Sequence, residues 1–279
     1  MQGASADSSD YSLVISLVAN FVYGLAVFLA DYYEKTSAKR NPLSRRIRLL
    51  ITVAVGVLLD ICCAFFLTHW SLVLPVLFTI VVLALVIYKE LNQFWQIGIV
   101  GADRQVGTGV DYRTALGMCH HSFHFLGIGA SKLTRDREAF GDAISRCSRD
   151  GSPVKLLLGR PNSDELVKFA QMANKDKASY QHAVTESLRF VAELRNNERK
   201  NISVRFYQTI PAFRLMFIDD SICLMSYYLM GKGDGSNLPQ LHVIKTAGSR
   251  DIDSLYFAFT EYFAKMWNAS DDWDFKEYL

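Results

Sequence analysis

Residues 212–228 read Ala-Phe-Arg-Leu-Met-Phe-Ile-Asp-Asp-Ser-Ile-Cys-Leu-Met-Ser-Tyr-Tyr. Two β-prone apolar runs, 213–218 and 222–228, flank the turn Asp219-Asp220-Ser221, the pattern of a β-hairpin. Working back from it, 202–207 and 154–158 read as strands, the latter wholly apolar as in a buried strand, and 123–127 as a short third. Working forward, 241–245 is another. Helical patterns separate them: 110–121, 135–149 stopped by Gly151, a helix started by Pro161 and Ser163, and 177–198. The last carries an apolar stripe of Tyr180, Ala183, Val184, Leu188, Val191 and Leu194. A closing helix spans 253–267. Six strands with four or five helices predict an α/β sandwich with a mixed sheet over 110–279.

The N-terminal third differs. Runs at 11–30, 49–70 and 71–88 are apolar and carry one charge, Asp60. Their lengths predict three transmembrane helices, at about 11–33, 49–70 and 71–88, within a membrane region of residues 1–90. Lys35, Lys39, Arg40, Arg45, Arg46 and Arg48 lie between the first two runs and place that loop in the cytoplasm. The N-terminus is then outside, and the domain after the third run is cytoplasmic, on the inner (plasma) membrane. Asn20, Asp60 and Thr79 fall at similar depths and form a candidate polar seam, either a functional lining or interhelical hydrogen bonding. Residues 91–109, rich in glycine, read as a connector. Membrane lipid is the expected surrounding of the first region, and a reducing compartment argues against disulfides.

Beyond residue 90 the charges balance, with 23 Lys and Arg against 22 Asp and Glu. No concentrated basic face emerges, so nucleic acid is not an indicated partner. Cys119, His120, His121 and His124 cluster in sequence but match no structural-zinc spacing, so neither a metal nor a cofactor is expected. No nucleophile-elbow motif occurs.

The stretch 212–219 resembles the phospholipase D-like superfamily, whose strand motif is His-x-Lys-x4-Asp with Gly-Ser-x-Asn on the next strand. The family's nucleophilic His falls on Ala212, its Lys on Arg214 and its Asp on Asp219. The Gly-Ser-x-Asn positions fall on Ser226, Tyr227, Tyr228 and Leu229. The strand at 123–129 and Val-Lys-Leu-Leu-Leu-Gly-Arg-Pro at 154–161 look like the opening of such a domain. The resemblance covers about 110–268 and one repeat. It implies a degenerate site without a catalytic residue, because a methyl group cannot attack phosphorus. It also implies a homo-oligomer, since single-repeat members pair two copies. Arg214 and Asp219 remain to recognise phosphate, with Tyr227 and the loop residues Lys232 and Asn237 as further candidates.

The expected function is a membrane-anchored sensor or effector whose domain binds a phosphorylated ligand or a protein partner and alters the membrane helices. In architecture it resembles the membrane-disrupting effectors of antiphage defence. Two rivals stand beside it. One is a tethered phosphodiesterase or phospholipase with a displaced nucleophile, His242, Ser226 or Tyr227. The other is a membrane scaffold docking a partner on the 177–198 helix.

Overall fold

A computed structural model describes residue 24 and residues 73–278 apart from 150, 152, 173, 175, 197, 229–234 and 247–253. Compact packing divides the chain into residues 1–92 and 93–279. The first described helix, α1, runs Val73–Gln96. Among the described residues no helix is long and apolar enough to cross a membrane. The fold class expected from the sequence, three transmembrane helices plus an α/β domain, is corrected accordingly: the architecture described is α/β. The first two apolar runs, with Asn20 and Asp60, lie outside the described residues, and Thr79 falls within α1.

The second unit is built on one eight-stranded mixed sheet. Along the chain come β1 (Ile99–Asp103), α2 (Tyr112–Gly117), β2 (Phe123–Leu126), α3 (Arg137–Arg149), β3 (Val154–Leu158), α4 (Asp164–Met172) and α5 (Lys177–Asn196). Then follow β4 (Ile202–Phe206), β5 (Phe213–Ile218), β6 (Ile222–Tyr227), β7 (Gln240–Ile244), α6 (Leu255–Asn268) and β8 (Asp271–Asp272). The spatial order is β1-β7-β6-β5-β2-β3-β4-β8. The pairs β2–β3 and β3–β4 are parallel, as helical crossovers require, and every other pair is antiparallel.

Local chemistry explains the boundaries. Asp136, Ser163, Asp176 and Ser254 precede α3, α4, α5 and α6, and each side chain accepts from a backbone N–H three residues on, at 2.7–3.2 Å. The β5–β6 hairpin turns at Asp219 and Asp220, both with positive φ (51° and 48°), and Ser221 N–H closes the turn on Ile218 C=O. That is the primed-turn geometry matched to strand twist, and aspartate tolerates it better than most side chains. In place of the expected connector, residues 99–103 add an edge strand to β7. Gly98 permits this: its φ is +91°, and a Cβ there would sit 2.6 Å from the Ile244 carbonyl oxygen.

Alternation along the strands divides the core between two faces. On one, Phe123, Phe125, Leu156, Val204 and Met216 pack under α2, α3, α4 and α5. On the other, Leu126, Leu157, Leu215, Phe217 and Val243 meet Tyr256, Phe259 and Phe263 of α6. The apolar stripe of α5 is spent within this core, with Val184, Leu188 and Val191 fully buried.

His124 belongs to the α6 face, its ring stacked on Phe263 at 5.6 Å between centroids. Burial, reinforced by the Lys155 charge and opposed by Asp220, depresses its pKa to about 4. Below the ordinary histidine pKa of ~6.5 the unfolded chain takes up a proton that the folded chain refuses until about pH 4. Stability therefore falls on acidification through that window, by up to about 3 kcal/mol. Urea unfolding between pH 7 and 4 should show this slope, and His124→Gln should flatten it.

Candidate functional site

The face that packs under α2–α5 turns polar as the sheet passes from β5 toward β1. Arg214 on β5 stands directly across from Ser226 on β6, and Gln240 of β7 lies beyond. The guanidinium is only 3% exposed. Its Nη1 donates to Tyr112 Oη (2.6 Å) and Gly235 C=O (3.2 Å), and its Nη2 to Ser226 Oγ (2.7 Å) and Gln240 Oε1 (3.1 Å). Nε is buried and has no hydrogen-bond partner among the described residues. All four acceptors are neutral. The cation also lies 5.2 Å from the Tyr112 ring centroid, a cation–π distance.

Gln240 links this arginine to a carboxylate. Its Nε2 donates to Val110 C=O at 2.9 Å and lies 3.4 Å from Asp103 Oδ2, which also accepts from Val110 N–H (2.9 Å) and pairs with His242 Nε2 (2.7 Å). Burial pushes the Asp103 carboxyl up, but these hydrogen bonds and the imidazole outweigh it and hold the pKa below the ordinary value. The other ring nitrogen of His242 faces Gly101, where a Cβ would come within 3.2 Å.

Beside Arg214 opens a pocket of about 200 Å³ lined by Tyr112, Arg113, Lys132, Arg135, Asp136 and Ser236, among others. Lys132 Nζ donates to Ser236 Oγ at 2.8 Å. The two carboxylates in the wall are committed to helix caps: Asp111 accepts from Thr114 N–H at the start of α2, and Asp136 accepts from Ala139 N–H while pairing with Arg113 at 3.3 Å. Three cations and two carboxylates therefore line the cavity, and the Asp136 carboxylate pairs with one of the cations, Arg113. The cavity's size suits a phosphate-bearing head group better than a drug-sized ligand.

The residues singled out from the sequence divide. Arg214 backs the pocket wall through Tyr112 and Gly235. Asp219 lies past the far end of β5, about 17 Å along the strand at ~3.3 Å per residue. There its Oδ1 accepts from the N–H groups of His120 (3.0 Å), His121 (2.7 Å) and Ser122 (3.1 Å). Burial opposes its ionisation, but those three donors prevail and lower its pKa. Tyr227 is 42% exposed, Asn237 is exposed near the pocket loop, and Lys232 lies outside the described residues. Ala212 carries only a methyl, and its N–H donates to Tyr262 Oη at 3.1 Å. Ser226, a displaced-nucleophile candidate, is committed to Arg214. The Cys-His-His-His cluster is dispersed: Cys119 is buried in the core, His124 stacks on α6, and His120 and His121 sit with ring centroids 6.4 Å apart. Among the described residues no group of three potential ligands converges on a metal position.

Sequence reasoning missed Tyr112, Lys132, Ser236, Gln240 and Asp103. One signal was available: in Gln-Leu-His-Val-Ile (240–244), Gln240 and His242 share a strand face, while Leu241 and Val243 share the other.

No family model matches the chain, and no curated protein matches it. Among solved structures it is similar to Nuc from Salmonella typhimurium, a phospholipase D family member. Identity is 14% and the TM-score 0.35, over 58% of this chain and 88% of that one. A second is TrmBL2, an archaeal chromatin protein, at 12% identity and TM-score 0.38 over 89% and 69% of the two chains. A third is the phosphatidylserine synthase of Haemophilus influenzae Rd KW20, at 11% identity and TM-score 0.41 over 63% of this chain and 40% of that one.

Asp219 accepts from the consecutive N–H groups of residues 120–122. Asp219→Ala should lower stability by about 1–3 kcal/mol in urea unfolding, and hydrogen exchange at 120–122 should accelerate first.

Proposed function

We propose that the α/β unit is a non-hydrolytic receptor for a phosphorylated ligand, the sensing half of an effector protein. The observation that carries this reading is the set of cations at the pocket: Arg113, Lys132 and Arg135 in the wall against Asp111 and Asp136, of which Asp136 pairs with Arg113, with Arg214 behind the wall. Arginine forks and lysine ammonium groups take phosphate oxygens in charge-assisted hydrogen bonds. Ser236 and the Lys132 ammonium already stand together at hydrogen-bond distance, and a phosphate oxygen can join both.

Chemistry is not expected at this site. Ala212 cannot attack phosphorus, and Ser226 Oγ is held by the arginine. The nitrogens of His242 face Asp103 and Gly101, and His242 does not line the pocket. A ligand bound here is held rather than consumed, which suits a reporter of occupancy.

Calorimetric titration of the full chain with inorganic pyrophosphate tests the reading, with sulfate as the competing anion. Saturable binding is expected, weakened at least about tenfold by Lys132→Ala. Heats indistinguishable from dilution, or binding that Lys132→Ala and Arg135→Ala leave unchanged, would overturn it. Hydrolysis of bis(p-nitrophenyl) phosphate, abolished by His242→Ala, would replace it with the phosphodiesterase reading.

A further inference from the structure

Cys119 and Cys147 are both fully buried, and their sulfurs lie 3.0 Å apart across 28 positions of sequence. Cys119 follows α2 and Cys147 sits near the end of α3, so the contact joins two elements that the crossover separates. Neither thiol takes part in the pocket. A shared hydrogen bond makes them unequal. It raises the pKa of Cys119 and lowers that of Cys147, with burial opposing ionisation of each. Arg146 stands over the pair, its Nε donating to Cys119 C=O and its Nη2 to Leu116 C=O, both at 2.7 Å. The guanidinium charge favours a thiolate at either sulfur, and Asp219 opposes it.

We infer that Cys119 and Cys147 form a reversible dithiol–disulfide couple that, once oxidised by a hydroperoxide, pins the pocket-lining helix α2 to α3. The sulfurs need to close by about 1 Å to reach the ~2.05 Å of a disulfide bond. In the balanced reaction the Cys147 thiolate attacks one oxygen of hydrogen peroxide and breaks the O–O bond. This yields a sulfenic acid and a hydroxide, which takes up a proton as water. The Cys119 sulfur then attacks the Cys147 sulfur, forms the S–S bond and expels the hydroxyl, which leaves as a second water with the Cys119 proton. Two thiols lose two electrons, and one peroxide gains them. Both sulfurs are fully buried, so the oxidant reaches them through local opening at the end of α2.

The consequence is mechanical. Tyr112 and Leu116 of α2 line the pocket, and in the reduced protein the end of α2 is held to α3 by Arg146 hydrogen bonds and packing. A covalent bond replaces an adjustable attachment with a fixed one. The inference does not depend on what the pocket binds.

The experiment treats the folded full chain with stoichiometric hydrogen peroxide, quenches free thiols with an alkylating reagent and maps peptides without reduction. A peptide pair joining Cys119 to Cys147, about 2 Da lighter than the two thiols and separated by dithiothreitol, is expected. The map distinguishes it from any bond of Cys62, Cys63 or Cys223. Melting should shift upward by about 5 °C or more in the oxidised protein. Cys223→Ser should leave the linked pair unchanged, which guards against loss of folding in variants of the buried pair. Sulfinic acid on either cysteine without the linked pair, or a link that forms only after unfolding in urea, would overturn the inference.

Discussion

A guanidinium taken out of water, with no carboxylate touching it among the described residues, is the constraint around which this side of the fold is arranged. Removing a cation from solvent costs several kcal/mol unless its donors are met. Arg214 meets the cost by gathering oxygens from four separate places: Tyr112 at the start of α2, Ser226 on the neighbouring strand, Gln240 one strand further, and the Gly235 carbonyl in the loop between β6 and β7. Each is fixed elsewhere by the sheet register or by a helix, so the arginine ties α2 and the 235–238 loop to the sheet. Its charge is dispersed over these dipoles. Lys132 and Arg135 stand in the neighbouring pocket wall, together with Asp111 and Asp136.

The strip of polar residues that houses Arg214 depends on the edge of the sheet. Beneath α3, α4 and α5 the same face is wholly apolar. Beyond β6 the covering helices give out, and polar side chains take over at alternate positions. β1 completes this region because it brings Asp103 to Gln240 and His242. The network therefore runs from a buried cation to a carboxylate through one neutral amide. Gln240 suits the middle position, since its carbonyl oxygen accepts from the arginine while its amide nitrogen donates toward the acid. A glutamate there would neutralise the cation and remove the donor that Asp103 uses.

Much of the α/β unit was legible because its strands obey strict local rules. Val154–Leu158 and Phe213–Ile218 are apolar runs bounded by turn residues, and both appear where the pattern puts them. The 110–121 pattern was overextended: α2 ends at Gly117, where Arg146 from α3 takes the Leu116 and Cys119 carbonyls, a long-range contact with no local signature. β1 was hidden by its glycines, which read as a linker, although they are what lets an edge strand approach β7 closely. At the candidate site, the motif positions pointed to Arg214 and Ser226, which face each other across the hairpin. Tyr112 and Gln240 carry no such local signal, because they reach the arginine through tertiary structure alone. Asp219 looked like a ligand residue on the same grounds, yet its geometry is that of a clamp on three consecutive N–H groups.

Holding a phosphate and cleaving one place different demands on the same cations. Catalysis requires interactions that strengthen as charge moves toward the leaving group, together with an attacking atom aligned on phosphorus. Here the strand position two residues before Arg214 bears a methyl, and the arginine's two terminal nitrogens donate to neutral oxygens. Tyr112 Oη accepts from Nη1, and the Tyr112 side chain also forms part of the pocket wall. On the receptor reading proposed above, an anion in the pocket would meet Tyr112 at the N-terminal end of α2. The far end of that helix is the one attached to α3 by Arg146 and, in the oxidised state, by a covalent bond. On the receptor reading proposed above, a change at one end of this single short helix would be read against the fixity of the other.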